Sequence, residues 1–262
     1  MQVFNLNFNI MKTKTTVYLA LFFLIQGLYS QENTKKVLIA KYSLYPYSTE
    51  FFDHNTDTPS EKKSFDIALR RTKEFKYTFM SDFKSDKAMF FLDSVITTKI
   101  KGKESYWIEP ENVIHFAYKN NNRYYKKESI FKRNFYTINT NNFSFEWEIT
   151  NQTKKIAGFN CTKAISNVRN NKIIAWFTSE LPINYSPIGL YGLPGLILQA
   201  ETFFNTITIE SIKYSDSTDL LNSKINEFEK KYNNEKDDNE IKEAILMLKK
   251  AQLIQSLKRM RG

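Results

Sequence analysis

The chain has few of the residues that build disulfides and metal centres. Its 262 residues include one cysteine, Cys161, and two histidines, His54 and His115. A single cysteine excludes an intramolecular disulfide. The two histidines lie far apart, in a predicted loop and a predicted strand, and a metal site needs more ligands than these. We therefore predict neither a metal nor another cofactor.

Glycine is also scarce, and the seven glycines do not form a nucleotide-binding loop. Residues Gly192–Leu198 read Gly-Leu-Pro-Gly-Leu-Ile-Leu. A phosphate loop would continue with Lys and Ser or Thr, and a dinucleotide loop would open a helix with Gly-x-Gly-x-x-Gly. Pro194 restricts φ, and Gly195 permits either a positive φ or the close approach of another backbone. The stretch predicts a rigid turn that leads into a buried strand.

Long hydrophobic runs are absent except near the N-terminus. The apolar run Val17–Ile25 follows Lys12 and Lys14 and precedes a polar stretch that begins at Gln31. This layout is typical of a signal peptide, and the run is shorter than the roughly 20 residues of a membrane span. No cysteine lies at the expected cleavage point to carry a lipid. We expect residues 1–30 to be removed and the mature protein to be periplasmic or secreted.

The formal net charge is +10, and it is +8 without residues 1–30. The basic residues are scattered, as at Arg70 and Arg71, at Lys126 and Lys127, and at Lys258–Arg261. Nucleic-acid binding favours one dense basic face, so we predict no nucleic-acid partner. Peripheral contact with an anionic envelope surface and a merely solvated surface are both consistent with this charge.

Short runs of aromatic and β-branched residues between Val37 and Ile212 predict a mainly β fold. Asparagines at 120–122 and 170–171 favour tight hairpins, hence antiparallel neighbours. We expect an antiparallel meander forming a curved sheet or partly open barrel, with one helix at Phe65–Lys73. After a first strand from Val37, the predicted strands are Phe75–Met80, Ala88–Thr98, Val113–Tyr118, Arg123–Phe131, Phe143–Ile149, Cys161–Asn167, Ile173–Thr178, Leu196–Glu201 and Thr206–Ile212.

Alternation within Phe143–Ile149 predicts one dry and one wet strand face. Phe143, Phe145, Trp147 and Ile149 share the first face. The second face carries Glu146 and Glu148, which are close enough for general acid and base chemistry on a sugar or for an ordinary polar surface.

The pattern changes to helical spacing after Tyr214. Apolar residues recur at Ile241, Ala244, Ile245, Leu248 and Ala251. We predict a β-rich domain over residues 31–215 and a helical region over 216–262. The helices are consistent with a membrane surface, with a partner, with packing on the domain, or with a partly disordered tail.

Two sets of residues are candidates for binding or reactivity. Cys161 is either a reactive thiol or a small buried hydrophobe. Aromatic residues near strand ends either bind a ligand or fill the core, and the proline-stiffened segment Leu181–Gly195 is the best candidate surface. The candidate binding residues are Trp176, Tyr185, Tyr191, Gly192, Leu193, Pro194 and Gly195.

Several of these stretches resemble a known family. The segments Lys155–Ala164, Ala175–Thr178, Leu181–Ile183 and Gly192–Ile197, with Gly189, look like the signature of the GLPGLI family of Bacteroidota. Cys161 and Lys163 fall within this motif. The resemblance implies an exported, β-rich protein and supplies no catalytic residue.

Three classes of function are consistent with the sequence. The first is an exported, non-enzymatic envelope protein that binds an apolar or extended ligand, or a partner protein. The second is a hydrolase that acts on an envelope polymer through Glu146 and Glu148. The third is a structural module that adds its sheet edge to a secreted partner.

Overall fold

The computed structural model describes residues 37–45, 73–97, 112–120, 123–130, 132–139, 145–185 and 188–261. The expected signal peptide, His54 and residues 65–72 of the expected helix lie outside these residues, whereas Lys73, the last residue of that helix, begins a strand. The described chain is mainly β, as predicted. Its strands are β1 (Val37–Tyr45), β2 (Lys73–Asp82), β3 (Ala88–Thr97), β4 (Asn112–Asn120), β5 (Arg123–Ile130), β6 (Arg133–Asn139), β7 (Glu148–Ile156), β8 (Phe159–Val168), β9 (Asn171–Thr178), β10 (Leu196–Glu201), β11 (Thr206–Ser215) and β12 (Glu240–Lys242).

The described strands form a single sheet in the order β12-β6-β5-β4-β3-β2-β1-β11-β10-β9-β8-β7. The sheet consists of two meanders, β1 to β6 and β7 to β11, joined where β1 pairs with β11. All pairings are antiparallel except that of β12 with β6. The predicted single meander is thus divided in two. The first and last long strands, β1 and β11, are both apolar. They bury more surface when they pair at the centre of the sheet than they would at its edges.

The sheet is not closed, but it curls strongly. Five strands separate β4 from β9, which would place them about 30 Å apart in a flat sheet. Ile114 of β4 and Ile173 of β9 nevertheless line one cleft. The larger hydrophobic cluster lies on this inner face and joins residues of both meanders, among them Leu38, Phe90, Ala164 and Leu196.

Helix α1 (Asp219–Glu235) packs on the other face of the sheet. Its buried residues Leu221, Ile225, Phe228 and Tyr232 follow helical spacing and form one stripe. Phe228 stacks on Phe116, with ring centroids 5.0 Å apart. This aromatic contact anchors the helix to the first meander.

Helix α2 (Glu243–Arg261) follows β12 and crosses the open side of the curled sheet. The prediction of C-terminal helices is confirmed, but of the apolar residues at helical spacing only Ala251 is fully buried. Ile241 belongs to β12, whereas Ile245 and Leu248 are 44% and 42% exposed. The buried stripe carries charge as well as apolar side chains, because it faces a polar cluster of the sheet. Its members are Glu243, Leu246, Lys250, Ala251 and Ile254.

The strand predicted at Phe143–Ile149 is also corrected. Phe145 is buried and Trp147 partly buried, but both precede β7, which begins at Glu148. Ile149 is 52% exposed, so it does not share a dry face with Phe145. The alternation reflects a connection that inserts two aromatic rings into the core. Strand β6, which the sequence did not indicate, carries polar residues because it lies near the sheet edge.

Among the described residues, no helix combines the length and the apolar character that crossing a membrane requires.

Candidate functional site

The Gly192–Leu198 stretch supports β10 through close backbone packing. A Cβ on Gly195 would lie 2.1 Å from the carbonyl oxygen of Thr178, so only glycine fits there. Gly192 has φ of +97°, a value that favours glycine, and packs against Trp147. The Trp147 indole donates to the carbonyl of Tyr191 over 2.7 Å. The turn therefore has an evident structural role: it locks the start of β10 against the end of β9.

Of the predicted binding aromatics, Tyr185 is buried and Tyr191 is partly buried. Tyr185 stacks on Tyr124 of β5 at 4.8 Å, and Tyr191 contacts the same ring at 4.7 Å. Burial and neighbouring groups raise the pKa of both hydroxyls well above the usual range. Leu193 is buried as well, whereas Gly192 and Pro194 are exposed. The segment therefore exposes Gly192 and Pro194, exposes Tyr191 only in part, and buries Tyr185.

Trp176 lies away from these tyrosines, on the side of β9 opposite the buried Ala175 and Phe177. Lys154 Nζ lies 4.1 Å from the centre of its ring, and Lys163 Nζ lies 5.9 Å away. The structure thus brings Lys163 to Trp176 but does not bring Trp176 to Tyr185 or Tyr191.

Cys161 is fully buried on β8, in agreement with its interpretation as a small hydrophobe. Its sulfur lies 3.7 Å from the carbonyl oxygen of Phe159. Burial raises the pKa of the thiol, which disfavours the nucleophilic thiolate.

A cleft lies between α2 and the inner face of the sheet, and we call it the α2 cleft. It holds about 80 Å³ of space between α2, strands β4, β5 and β9, and the loops before and after β10. Five polar side chains interrupt its apolar wall: Lys126, Asn171, Thr202, Asn205 and Lys250. Two of them bond to each other, with Thr202 Oγ1 3.3 Å from Asn205 Oδ1. The main apolar residues of the cleft are Ile114, Ile173, Ile188, Phe204, Met247 and Ile254.

A buried ion cluster lies beside this cleft. Lys126 Nζ of β5 is 2.8 Å from Glu128 Oε1 and 2.8 Å from Glu243 Oε1, and Lys250 of α2 pairs with Glu128 Oε2. All four side chains are at most 11% exposed. We call these residues the charge cluster. It ties α2 to β5 with two positive and two negative groups.

The pKa values in the charge cluster follow from burial and from the number of partners. Burial alone would raise the pKa of Glu128, but Lys126 and Lys250 outweigh it and lower the pKa. Burial disfavours the charged form of both lysines. Two carboxylates nevertheless raise the pKa of Lys126, whereas the pKa of Lys250 is lowered because one paired carboxylate does not offset burial.

Asn171 is a further polar group of the cleft and is 5% exposed. It begins β9 directly after a hairpin whose turn residues Arg169 and Asn170 have φ of 48° and 66°. The sequence predicted a left-handed turn at residues 170–171, and in the structure this turn lies one residue earlier, at Arg169 and Asn170. The Asn171 Nδ2 donates to the carbonyls of Val168 and Arg169, and its Oδ1 has no hydrogen-bond partner among the described residues.

Sequence reasoning missed the polar residues of the cleft. Lys126 and Lys250 each stand next to a second lysine, a pattern typical of a solvated surface, and Asn171 is typical of a turn. One signal was present: Tyr124, Lys126, Glu128 and Ile130 occupy alternate positions of one strand. Lys126 and Glu128 therefore share a strand face with Tyr124 and Ile130, which predicts that their charges are buried.

The carboxylate pair of the hydrolase alternative lies outside the α2 cleft. Glu146 and Glu148 are both exposed, and Glu146 precedes β7.

His115 Nε2 lies 2.6 Å from Ser129 Oγ, and burial lowers the pKa of His115. In the described ranges, no three His, Cys, Asp or Glu side chains are grouped so that they would hold a metal ion.

An open, curled sheet with a helix on its outer face and a cleft under a second helix defines a mainly β protein. The chain belongs to the family described as N-glycanase peptide, N-terminal domain, which matches residues 93–238, more than half of its length. No curated protein matches the chain significantly.

Solved structures resemble the chain loosely. A structure of PNGF-II in space group C2 has 19% sequence identity and a TM-score of 0.44, covering 82% of this chain and 33% of that one. The chain thus spans about a third of the length of PNGF-II. An uncharacterized conserved protein from Thermus thermophilus has 7% identity and a TM-score of 0.34, covering 81% of this chain and 93% of that one. Likeness at this level carries no information about activity.

Proposed function

We propose that the protein is an exported, non-enzymatic envelope protein that binds an apolar ligand in the α2 cleft. The observation that carries the proposal is the cleft itself, an apolar recess between the sheet and a helix with a few polar groups in its wall. Ligand sites of this kind are concave and mostly apolar, with a small number of polar groups that orient the ligand. Export is supported by the charge and hydropathy pattern of residues 1–30 and by the resemblance to the GLPGLI family.

Two adjacent residues of α2 provide a matched test. Met247 lines the cleft, whereas Leu248 does not line it and is 42% exposed. Met247→Trp should fill the recess, and Leu248→Trp adds the same ring outside it. Benzene, an apolar probe small enough for the cleft, is titrated into each protein and followed by chemical shifts of the isoleucine methyl groups.

We expect saturable benzene binding in the wild type and in Leu248→Trp, and its loss in Met247→Trp. Equal binding by both variants would place the ligand elsewhere. Absence of saturable binding in the wild type would overturn the proposal.

The hydrolase alternative rests on Glu146 and Glu148 and is tested separately. Envelope polymers are incubated with the wild type and with Glu146→Gln, whose fold is checked by circular dichroism. Our proposal expects no hydrolysis by either protein. Hydrolysis by the wild type that Glu146→Gln abolishes would favour the enzyme.

A further inference from the structure

The side-chain oxygen Oδ1 of Asn171 is a hydrogen-bond acceptor without a partner among the described residues, so it is available to a ligand. The two Nδ2 contacts, 3.2 Å to the Val168 carbonyl and 3.4 Å to the Arg169 carbonyl, fix the orientation of the amide, since both partners are acceptors. The Oδ1 atom is buried and has no partner within the described ranges, and Asn171 lines the α2 cleft. Buried polar atoms in native proteins are nearly always paired, so a donor on a bound molecule is the natural partner.

The lysines of the cleft supply the complementary donors. Each ammonium carries three N–H groups. In the described structure, Lys126 meets two carboxylate oxygens and Lys250 meets one. Both residues also line the cleft. The same cleft is therefore lined by donors on the lysines and by Asn171, which carries the unpartnered acceptor.

The charge cluster is already neutral, with two lysines and two glutamates. A ligand carboxylate or ammonium would add a charge that no group in this buried setting compensates. A hydroxyl adds no charge, donates one hydrogen bond and accepts another.

We infer that the α2 cleft selects the head of an uncharged amphiphile that carries a hydroxyl or amide N–H. The inference rests on the proposed function, because it names the class of ligand for the same cleft. The apolar wall takes the hydrocarbon part, Asn171 Oδ1 accepts from the head, and a lysine donates to it.

Four probes of similar size test the inference in the wild-type protein: 1-hexanol, methyl pentyl ether, hexanoate and hexylammonium. The ether matches the alcohol in heavy atoms and accepts hydrogen bonds but cannot donate one. We expect the Kd of 1-hexanol to be at least about tenfold lower than that of the other three. Calorimetry or the isoleucine methyl shifts measure it.

The outcomes separate the inference from the proposed function. Equal affinity for the alcohol and the ether, or a preference for hexanoate or hexylammonium, would overturn the inference and leave apolar binding intact. No saturable binding of any probe, benzene included, would overturn the proposed function as well.

A charge variant adds an independent readout. Lys250→Met leaves Glu128 and Glu243 with Lys126 alone, so the cluster gains a net negative charge. We expect the preference for hexylammonium over hexanoate to rise by at least about tenfold relative to the wild type. An unchanged ratio of the two affinities in folded Lys250→Met would contradict the role of charge balance. If the variant does not fold, the ranking of the four probes in the wild type decides whether the inference holds.

Discussion

The two C-terminal helices contact the same sheet in opposite ways. Helix α1 contributes Phe228 and Tyr232 to an aromatic contact with the outer face, whereas α2 brings Glu243 and Lys250 to a charged contact and leaves a cleft beside it. An apolar contact gains free energy by excluding water, and it buries no charge that must be paired. A buried charged contact is costly to desolvate and more demanding in geometry. The difference indicates that α1 is held to the sheet by apolar packing, whereas α2 is held to β5 by buried ion pairs and forms one wall of the cleft.

Removal of the central carboxylate should have the largest effect on this comparison. Glu128→Gln deprives Lys250 of its paired carboxylate and Lys126 of one of two. We expect a loss of about 3–5 kcal/mol in the free energy of unfolding, because a buried charge is left unpaired. Urea denaturation measures it. A loss below about 1 kcal/mol would show that water reaches the charge cluster.

Truncation of the aromatic anchor should have a somewhat smaller effect. Phe228→Ala removes a ring that stacks on Phe116 and contacts Phe91 at 5.5 Å. The expected loss of stability is about 3 kcal/mol, from lost burial and the cavity that remains. Benzene binding in the α2 cleft should be unchanged at temperatures where the variant is folded. Weaker benzene binding by folded Phe228→Ala would mean that the outer and inner faces of the sheet are coupled.

Acid should weaken the α2 contact through Glu128. Its folded pKa, about 2, lies below the ordinary value near 4.5, so it stabilises the fold above the ordinary value and loses this effect as pH falls through the folded pKa. We expect the stability difference between wild type and Glu128→Gln to shrink by about 3 kcal/mol between about pH 5 and pH 2. Because carboxylates outside the charge cluster have the same surroundings in both proteins, urea denaturation at several pH values isolates the contribution of this cluster. A pH-independent difference would contradict the assignment.

The surface pair beside α1 should matter least. Glu235 pairs with Lys127 and accepts from the Tyr136 hydroxyl over 3.0 Å, with its side chain 36% exposed. Hydrogen bonding to Lys127 lowers the pKa of Glu235, but solvent screens the pair. Glu235→Gln should cost less than about 1 kcal/mol in urea denaturation, and it serves as the control for Glu128→Gln. A cost similar to that of Glu128→Gln would remove the contrast between the helices.

Much of the sheet was predictable because its strands show local signals. The bounds of β10 agree with the prediction, since turn residues flank a short apolar run at Leu196–Glu201. Strand β6 was missed because Arg133 and Asn134 are exposed at its start and no alternation marks it. The site was less accessible to sequence reasoning. Lys126 and Lys250 lie more than a hundred residues apart, and α2 comes next to β5 because it directly follows β12, which pairs with β6, the neighbour of β5.

By itself, the sequence determined the secondary structure class and the Gly195 turn, because strand periodicity and glycine conformation are local properties. Tertiary structure alone decided the pairing of β1 with β11, the face on which each helix packs and the position of the α2 cleft. These features depend on contacts between distant residues, whose free energy is set by which surfaces are buried together. No local pattern in a single chain contains that information.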